Sequence, residues 1–170
     1  ADDWSYPQRL EKQVTFMENH PNIHVLGTAA ELVRRDGSYI NTVFLPEKHN
    51  EIKKIALKNT MFFHPSVLIR ASFFDIAGIY NEKLVRGQDI ELWIRGFKYD
   101  CCYHNIQEPL IKYVTNGYKR SYKKIFQKLY TKLYICFHYN YYSAIKYTIF
   151  DLIRSIAVKY KLYTPKSIRL

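Results

Sequence analysis

Apolar positions along the chain change period several times, and each change marks an element. Leu10, Val14 and Met17 recur at helical spacing with Phe16 beside them. This predicts a helix over residues 5–20, capped by Ser5 and opened by Pro7, with Pro21-Asn22 ending it. Residues 23–27, Ile-His-Val-Leu-Gly, read as a strand that residues 29–33 continue. Asp36-Gly37 is a hairpin turn signal, and residues 39–45 read as the return strand. Residues 50–59 form a short helix with Ile52, Ile55 and Ala56 on one face. Residues 64–70 turn into a buried strand. Residues 71–77 make a helix that Gly78 terminates. A loop covers 79–87. Residues 88–97 are a helix with Ile90, Trp93, Ile94 and Phe97 on its apolar face. Residues 99–104 and 110–114 read as two further strands. The alternation of strands and helices predicts an α/β fold.

The C-terminal stretch has another character. Ile125, Phe126, Leu129, Tyr130, Leu133, Cys136 and Phe137 make an apolar face over residues 122–142, while Lys124, Lys128 and Lys132 fall four apart on another. Residues 143–160 repeat the style with Ile145, Ile149, Leu152, Ile153 and Ile156. Two amphipathic helices are expected there, with Pro165 ending regular structure.

Charge separates the two parts. Residues 1–118 hold 14 Lys/Arg and 14 Asp/Glu, whereas residues 119–170 hold 12 Lys/Arg and one acid, Asp151. The whole excess of +11 therefore sits in the extension. The expected organisation is a neutral domain, 1–118, followed by a basic helical extension, 119–170. The apolar fraction of 48% suffices for a core, and no uninterrupted apolar run is long enough to predict a transmembrane helix. Three cysteines, two of them adjacent (Cys101 and Cys102), do not suggest a disulfide framework and point to a reducing, cytosolic compartment. Cys101, Cys102 and His104 match no common zinc spacing, so buried strand residues are expected.

Candidate chemistry lies at three places. Asp2-Asp3 precedes a helix: two carboxylates there suit a divalent cation, and equally a helix start. Asp89 opens a helix within Arg86-Gly87-Gln88-Asp89-Ile90-Glu91-Leu92-Trp93. It either complements the helix dipole or serves as a general base at the mouth of a loop. Glu91 lies on a different helix face from Asp89. His64 either caps a strand or lines the edge of a cleft.

These residues together resemble a family. Asp2-Asp3-Trp4-Ser5-Tyr6-Pro7-Gln8-Arg9-Leu10-Glu11-Lys12-Gln13 is similar to the segment of family 2 glycosyltransferases that starts with an Asp-Ala-Asp-Asp metal motif. The resemblance runs on through residues 22–28 and His64-Pro65-Ser66-Val67. It is strongest at Gly78-Ile79-Tyr80-Asn81-Glu82 followed by Gly87-Gln88-Asp89-Ile90-Glu91-Leu92-Trp93-Ile94-Arg95, and ends at Glu108-Pro109-Leu110 and Tyr113. It covers about residues 1–116.

The resemblance implies the C-terminal half of a GT-A, Rossmann-like mixed-sheet domain. It implies that Asp2, with Asp3 adjoining, holds Mg²⁺ or Mn²⁺ against a nucleotide-sugar diphosphate. It implies that Asp89 is the base for an acceptor hydroxyl, with inversion at the anomeric carbon. His64, Gln88 and Trp93 become candidate acceptor-side residues. The family's nucleotide-binding half lies before the point matched by Ala1, so weak donor binding by this chain alone is expected. A processive-synthase Gln-x-x-Arg-Trp pattern is absent, which favours single-sugar transfer. The implied role is assembly of bacterial surface polysaccharide or lipopolysaccharide on a saccharide or lipid-linked acceptor. The extension, residues 119–161, is then expected to bind an anionic membrane surface, placing the protein peripherally at the inner face of the cytoplasmic membrane. A non-catalytic membrane-docking remnant of the fold is the alternative. A basic nucleic-acid-binding protein is a third class, but no nucleic-acid motif is present and no nucleic acid is expected as partner.

Overall fold

The computed structural model describes residues 3–115 and 122–140, with residues 145, 149 and 153 beyond them. Its elements are β1 (Trp4–Ser5), α1 (Arg9–Asn19), β2 (Ile23–Val33), β3 (Tyr39–Val43), α2 (His49–Ile55), β4 (Leu68–Ile69), α3 (Ala71–Ala77), α4 (Gln88–Lys98), β5 (Cys102–Val114) and α5 (Tyr122–Tyr139). A single 3-10 turn covers His64–Ser66. They divide into two compact units. Residues 1–79 with 96–118 make the first, and 80–95 with 119–170 the second. Residues 80–95 thus group with the basic extension rather than with the rest of 1–118.

The first unit is built on a mixed sheet in the order β1-β5-β2-β3, with β4 also paired to β2. Strands β2 and β5 are parallel, while β1, β3 and β4 join antiparallel. This is an α/β fold with a mixed sheet, as expected. One sheet cluster packs Ala30, Leu32, Val43, Leu45, Phe63 and Ile111 with Tyr113 against them. Another packs Met17 of α1 on Ile23 and Leu26 of β2.

Several boundaries differ from the periodic reading, each for a local reason. The predicted helix over 5–20 begins at Arg9, because Trp4 and Ser5 pair with Lys112 and Ile111 of β5 and the Tyr6 N–H donates to Leu110 O. Ser5 does not cap the helix. Its hydroxyl accepts from Arg9 Nε at 2.6 Å, and Gln8 stands at the cap without a side-chain bond. The two strands predicted over 99–104 and 110–114 are one strand, Cys102–Val114. Pro109 is accommodated because the β2–β5 register shifts on both sides of its partner Ala29, a bulge that relieves the missing N–H. Helix α2 stops at Ile55, and Leu57 follows with φ 65°. The hairpin forms as expected: Gly37 has φ 83°, and Asp36 Oδ1 accepts the Ser38 N–H at 2.9 Å.

In the second unit, α5 replaces the first predicted tail helix and ends at Tyr139. The second predicted helix, 143–160, lies outside the described residues except for Ile145, Ile149 and Ile153, which are helical and exposed. No described helix is long and apolar enough to cross a membrane.

Candidate functional site

In the first unit, sequence blocks far apart in the chain converge on Ser66. Gln13, fully buried on α1, donates from Nε2 to Leu26 O at 3.0 Å and to Ser66 O at 2.9 Å. Arg9, one helical turn earlier, donates to Gln13 Oε1 at 3.1 Å and to Ser66 O at 3.3 Å. The Ser66 hydroxyl accepts the Thr28 N–H at 3.1 Å and donates to Phe63 O at 2.8 Å. The helix of the Arg-Leu-Glu-Lys-Gln segment, strand β2 and the His-Pro-Ser turn are thereby tied by buried polar bonds, which cost heavily if half-made. None of these residues was singled out for a role in the sequence. The i, i+4 spacing of Arg9 and Gln13 was the available signal. His64, on the same turn, is exposed.

Asp3 lies just before β1, half-buried, and its Oδ1 accepts the Val114 N–H at 2.8 Å. The carboxylate therefore staples the chain start to the end of β5. Asp2 falls outside the described residues. Among the described residues no cluster of three or more His, Cys, Asp or Glu side chains could hold a metal. One carboxylate, already bonded to the backbone, is a poor cation site by itself, since hard cations gather about six oxygen ligands.

The second unit carries Asp89 in the first turn of α4 and half-buried. Among the described residues its carboxylate enters no hydrogen bond or ion pair. Burial holds the Tyr80 phenol above its usual range, and the charge of Asp89 pushes it the same way. Glu91 has a different fate. It is buried and bidentate with Arg95, at 3.1 Å to Nε and 3.0 Å to Nη2, and it accepts the Tyr139 hydroxyl. Burial first, and this bond second, raise the Tyr139 phenol far above its usual range. Glu91 is thus an anchor between α4 and α5, and its i, i+4 spacing to Arg95 was legible. The Thr131 hydroxyl donates to Arg86 O, and Asn81 Nδ2 donates to the Tyr134 hydroxyl at 3.1 Å, so α5 also holds the loop before α4. Gln88 is half-buried beside Asp89 in sequence. Trp93 is only 2% exposed, so its indole packs rather than faces a ligand in this conformation.

One unit is an α/β fold with a mixed sheet, and the other is helical and carries Asp89 in the first turn of α4, a helix tied to α5 through Glu91. No family model matches the chain. It is similar to curated proteins named as glycosyltransferases. One is an uncharacterized glycosyltransferase of Methanocaldococcus jannaschii, 37% identical over 115 residues, covering 66% of this chain and 39% of that protein. Another is the amylovoran biosynthesis glycosyltransferase AmsE of Erwinia amylovora, 32% identical over 112 residues, covering 66% of this chain and 41% of that one. A third is the O-antigen biosynthesis glycosyltransferase WbnJ of Escherichia coli, 29% identical over 120 residues, covering 66% and 44%. The chain therefore spans about two fifths of the length of these relatives.

Proposed function

We propose that this chain carries the acceptor side of an inverting, family 2 glycosyltransferase of the GT-A type that builds a bacterial surface polysaccharide. The observation that carries this reading is Asp89: an acid whose carboxylate enters no hydrogen bond or ion pair among the described residues, on a helix whose other acid, Glu91, is bound by Arg95 and Tyr139. Similarity to proteins named for amylovoran and O-antigen biosynthesis supports the substrate class. In the proposed reaction an acceptor hydroxyl gives its proton to the Asp89 carboxylate as its oxygen attacks the anomeric carbon. The bond from that carbon to the diphosphate breaks, and the nucleoside diphosphate leaves. Transfer of one sugar per encounter to a saccharide or lipid-linked hydroxyl belongs to the same reading.

A divalent cation, Mg²⁺ or Mn²⁺, would offset the charge of the leaving diphosphate. Asp2 is its proposed ligand. The fit is incomplete at Asp3, whose Oδ1 is taken by the Val114 N–H, so Asp3 contributes by fixing the segment. The chain alone should bind UDP- or GDP-sugars more weakly than micromolar, and a micromolar affinity by calorimetry would contradict this.

The proposal extends to a peripheral place on an anionic membrane at the cytoplasmic face. Phe126, Tyr130, Leu133 and Phe137 form an exposed stripe on one face of α5, while Thr131, Ile135 and Cys136 are buried. Aromatic and aliphatic groups of this kind suit an interface, and the basic excess of 119–170 suits anionic headgroups. Anionic vesicles should float the chain at moderate salt, and Phe126→Ser with Phe137→Ser should reduce flotation. Failure to float rules out the membrane part. The enzyme part is tested by Asp89→Asn in the longest natural polypeptide containing this sequence. Unimpaired transfer would remove Asp89 from the role of base.

A further inference from the structure

We propose that, in the first unit, a hollow built by Trp4, Tyr6 and Lys112 at the edge of the sheet holds a pyranose ring of a saccharide. The inference rests on the glycosyltransferase reading for its biological meaning, and adds a place where the sugar chain is held.

The register of the strands builds this site. Trp4 pairs with Lys112 across β1 and β5, Lys112 with Glu31 across β5 and β2, and Glu31 with Thr42 across β2 and β3. Residues directly opposite in a sheet share a face. One row across four strands therefore carries an indole, an ammonium, a carboxylate and a hydroxyl. The adjacent row, Ala30, Val43 and Ile111, faces the core. Tyr6, two residues after Trp4, lies on the side of Trp4, and its hydroxyl donates to Glu31 Oε2 at 2.8 Å. That bond fixes the phenol ring, and Lys112 Nζ sits 5.7 Å from its centroid.

Trp4, Ser5, Tyr6, Gly37 and Lys112 line a hollow of about 360 Å³, near the lower end of the range for small-molecule sites. Trp4 is 55% exposed on a two-residue edge strand. An indole spread on solvent contributes little to folding, whereas its negative π-face is a platform for the positively polarised C–H face of a sugar ring. The hydroxyls at the ring's rim would then meet the Lys112 ammonium and the Tyr6 phenol oxygen. The row also lies toward the C-terminal ends of the parallel strands β2 and β5, where open α/β sheets receive ligands. A nucleobase would stack equally well on Trp4, but the Lys112 ammonium as donor and the Tyr6 phenol oxygen as acceptor suit the hydroxyls of a polyol better than a planar edge.

The chain has two tryptophans, and Trp93 is buried, so the indole N–H signals report separately. Methyl glucoside, methyl galactoside and methyl mannoside are titrated into the 170-residue chain at tens of millimolar while the two indole signals are followed by NMR. The Trp4 signal should move with at least one glycoside, the Trp93 signal should not, and saturation transfer should reach the ring C–H protons. Trp4→Ala should weaken binding about tenfold, the loss expected of one stacked ring. Trp4→Tyr should retain it, which separates loss of the platform from loss of the fold. No shift with any glycoside, or a larger Trp4 shift with uridine or guanosine, overturns the inference. Because the readout is binding, the two readings fail separately. Sugar binding at Trp4 without any transferase activity would sink the enzyme reading alone. Transfer with a silent Trp4 would sink this one alone.

Discussion

Replacing Gln13 tests whether the buried node around Ser66 holds the first unit together. In Gln13→Leu the carbonyls of Leu26 and Ser66 both lose the Nε2 donor. Ser66 O keeps the Arg9 guanidinium at 3.3 Å, so it is weakened rather than orphaned. A buried acceptor left without its donor costs about 1–3 kcal/mol. One lost bond and one weakened bond give a loss of about 2–3 kcal/mol. With a urea m-value of about 1–3 kcal/mol/M, the midpoint should fall by roughly 0.7–3 M. Gln13→Glu sharpens the test. Above neutral pH it places one carboxylate oxygen against two carbonyl oxygens, while the Arg9 guanidinium at 3.1 Å from the other oxygen offsets part of the charge, for a net loss of about 1–3 kcal/mol. At pH 5 the protonated acid can donate to one carbonyl, so its deficit relative to wild type at the same pH should shrink. Urea melts by far-UV circular dichroism at pH 8 and pH 5 read both effects. A loss under about 0.5 kcal/mol for Gln13→Leu, or a pH-independent deficit for Gln13→Glu, would refute the reasoning.

Gly27→Ala should destabilise strongly, because a Cβ there would lie 2.2 Å from Asn105 Oδ1 and 2.7 Å from Phe62 Cδ1. Asn105 cannot turn away without breaking its bonds to Pro46 O and Met61 O, so a thermal melt within 2 °C of wild type, against the several degrees expected for about 1 kcal/mol, would contradict the packing. Stability should also fall as pH drops below about 6.5. Burial lowers the pKa of His24 and His49, aided by Arg70 and Lys53, with Asp100 opposing at His49. The folded state disfavours the charged form of both, so the unfolded chain binds more protons near and below the ordinary value of 6.5 and stability is lost toward acid. The Nδ1 atoms accept the Cys102 and Tyr103 N–H groups, bonds that protonation removes. A flat stability profile between pH 7.5 and 5.5 would contradict this. Finally, burial pushes the Cys101 thiol up to about 11 and raises that of Cys136. Iodoacetamide at pH 8 should therefore alkylate the half-buried Cys102 first, as mass spectrometry would show.

Elements with a strong period were legible in the sequence. Helices α3 and α4, the hairpin at Asp36-Gly37 and the stop at Gly78 follow from spacing and from turn chemistry that acts within a few residues. What escaped depends on partners distant in the chain. The pairing of Trp4 with Lys112 turned a predicted helix start into a strand. The register shift around Ala29 let Pro109 sit inside β5, which joins the two strands predicted on either side of it. Asp89 was legible as a first-turn acid, but the commitment of Glu91 to Tyr139 was not, since those residues lie 48 apart. The tail's periodicity suggested one apolar face, whereas Ile135 and Cys136 are buried and Phe126 and Phe137 exposed. Helical spacing identifies apolar residues without saying which of them find a partner.

The central claim is that Asp89 takes the acceptor's proton. The direct measurement is the kcat for sugar transfer by Asp89→Asn and Asp89→Glu, in the longest natural polypeptide containing this sequence, with urea midpoints taken alongside. Loss of a general base predicts a fall in kcat of about 10²–10⁴-fold for Asn at an unchanged midpoint. Partial recovery is expected for Glu. A kcat for Asp89→Asn within about twofold of wild type would contradict the account, because an amide cannot accept that proton.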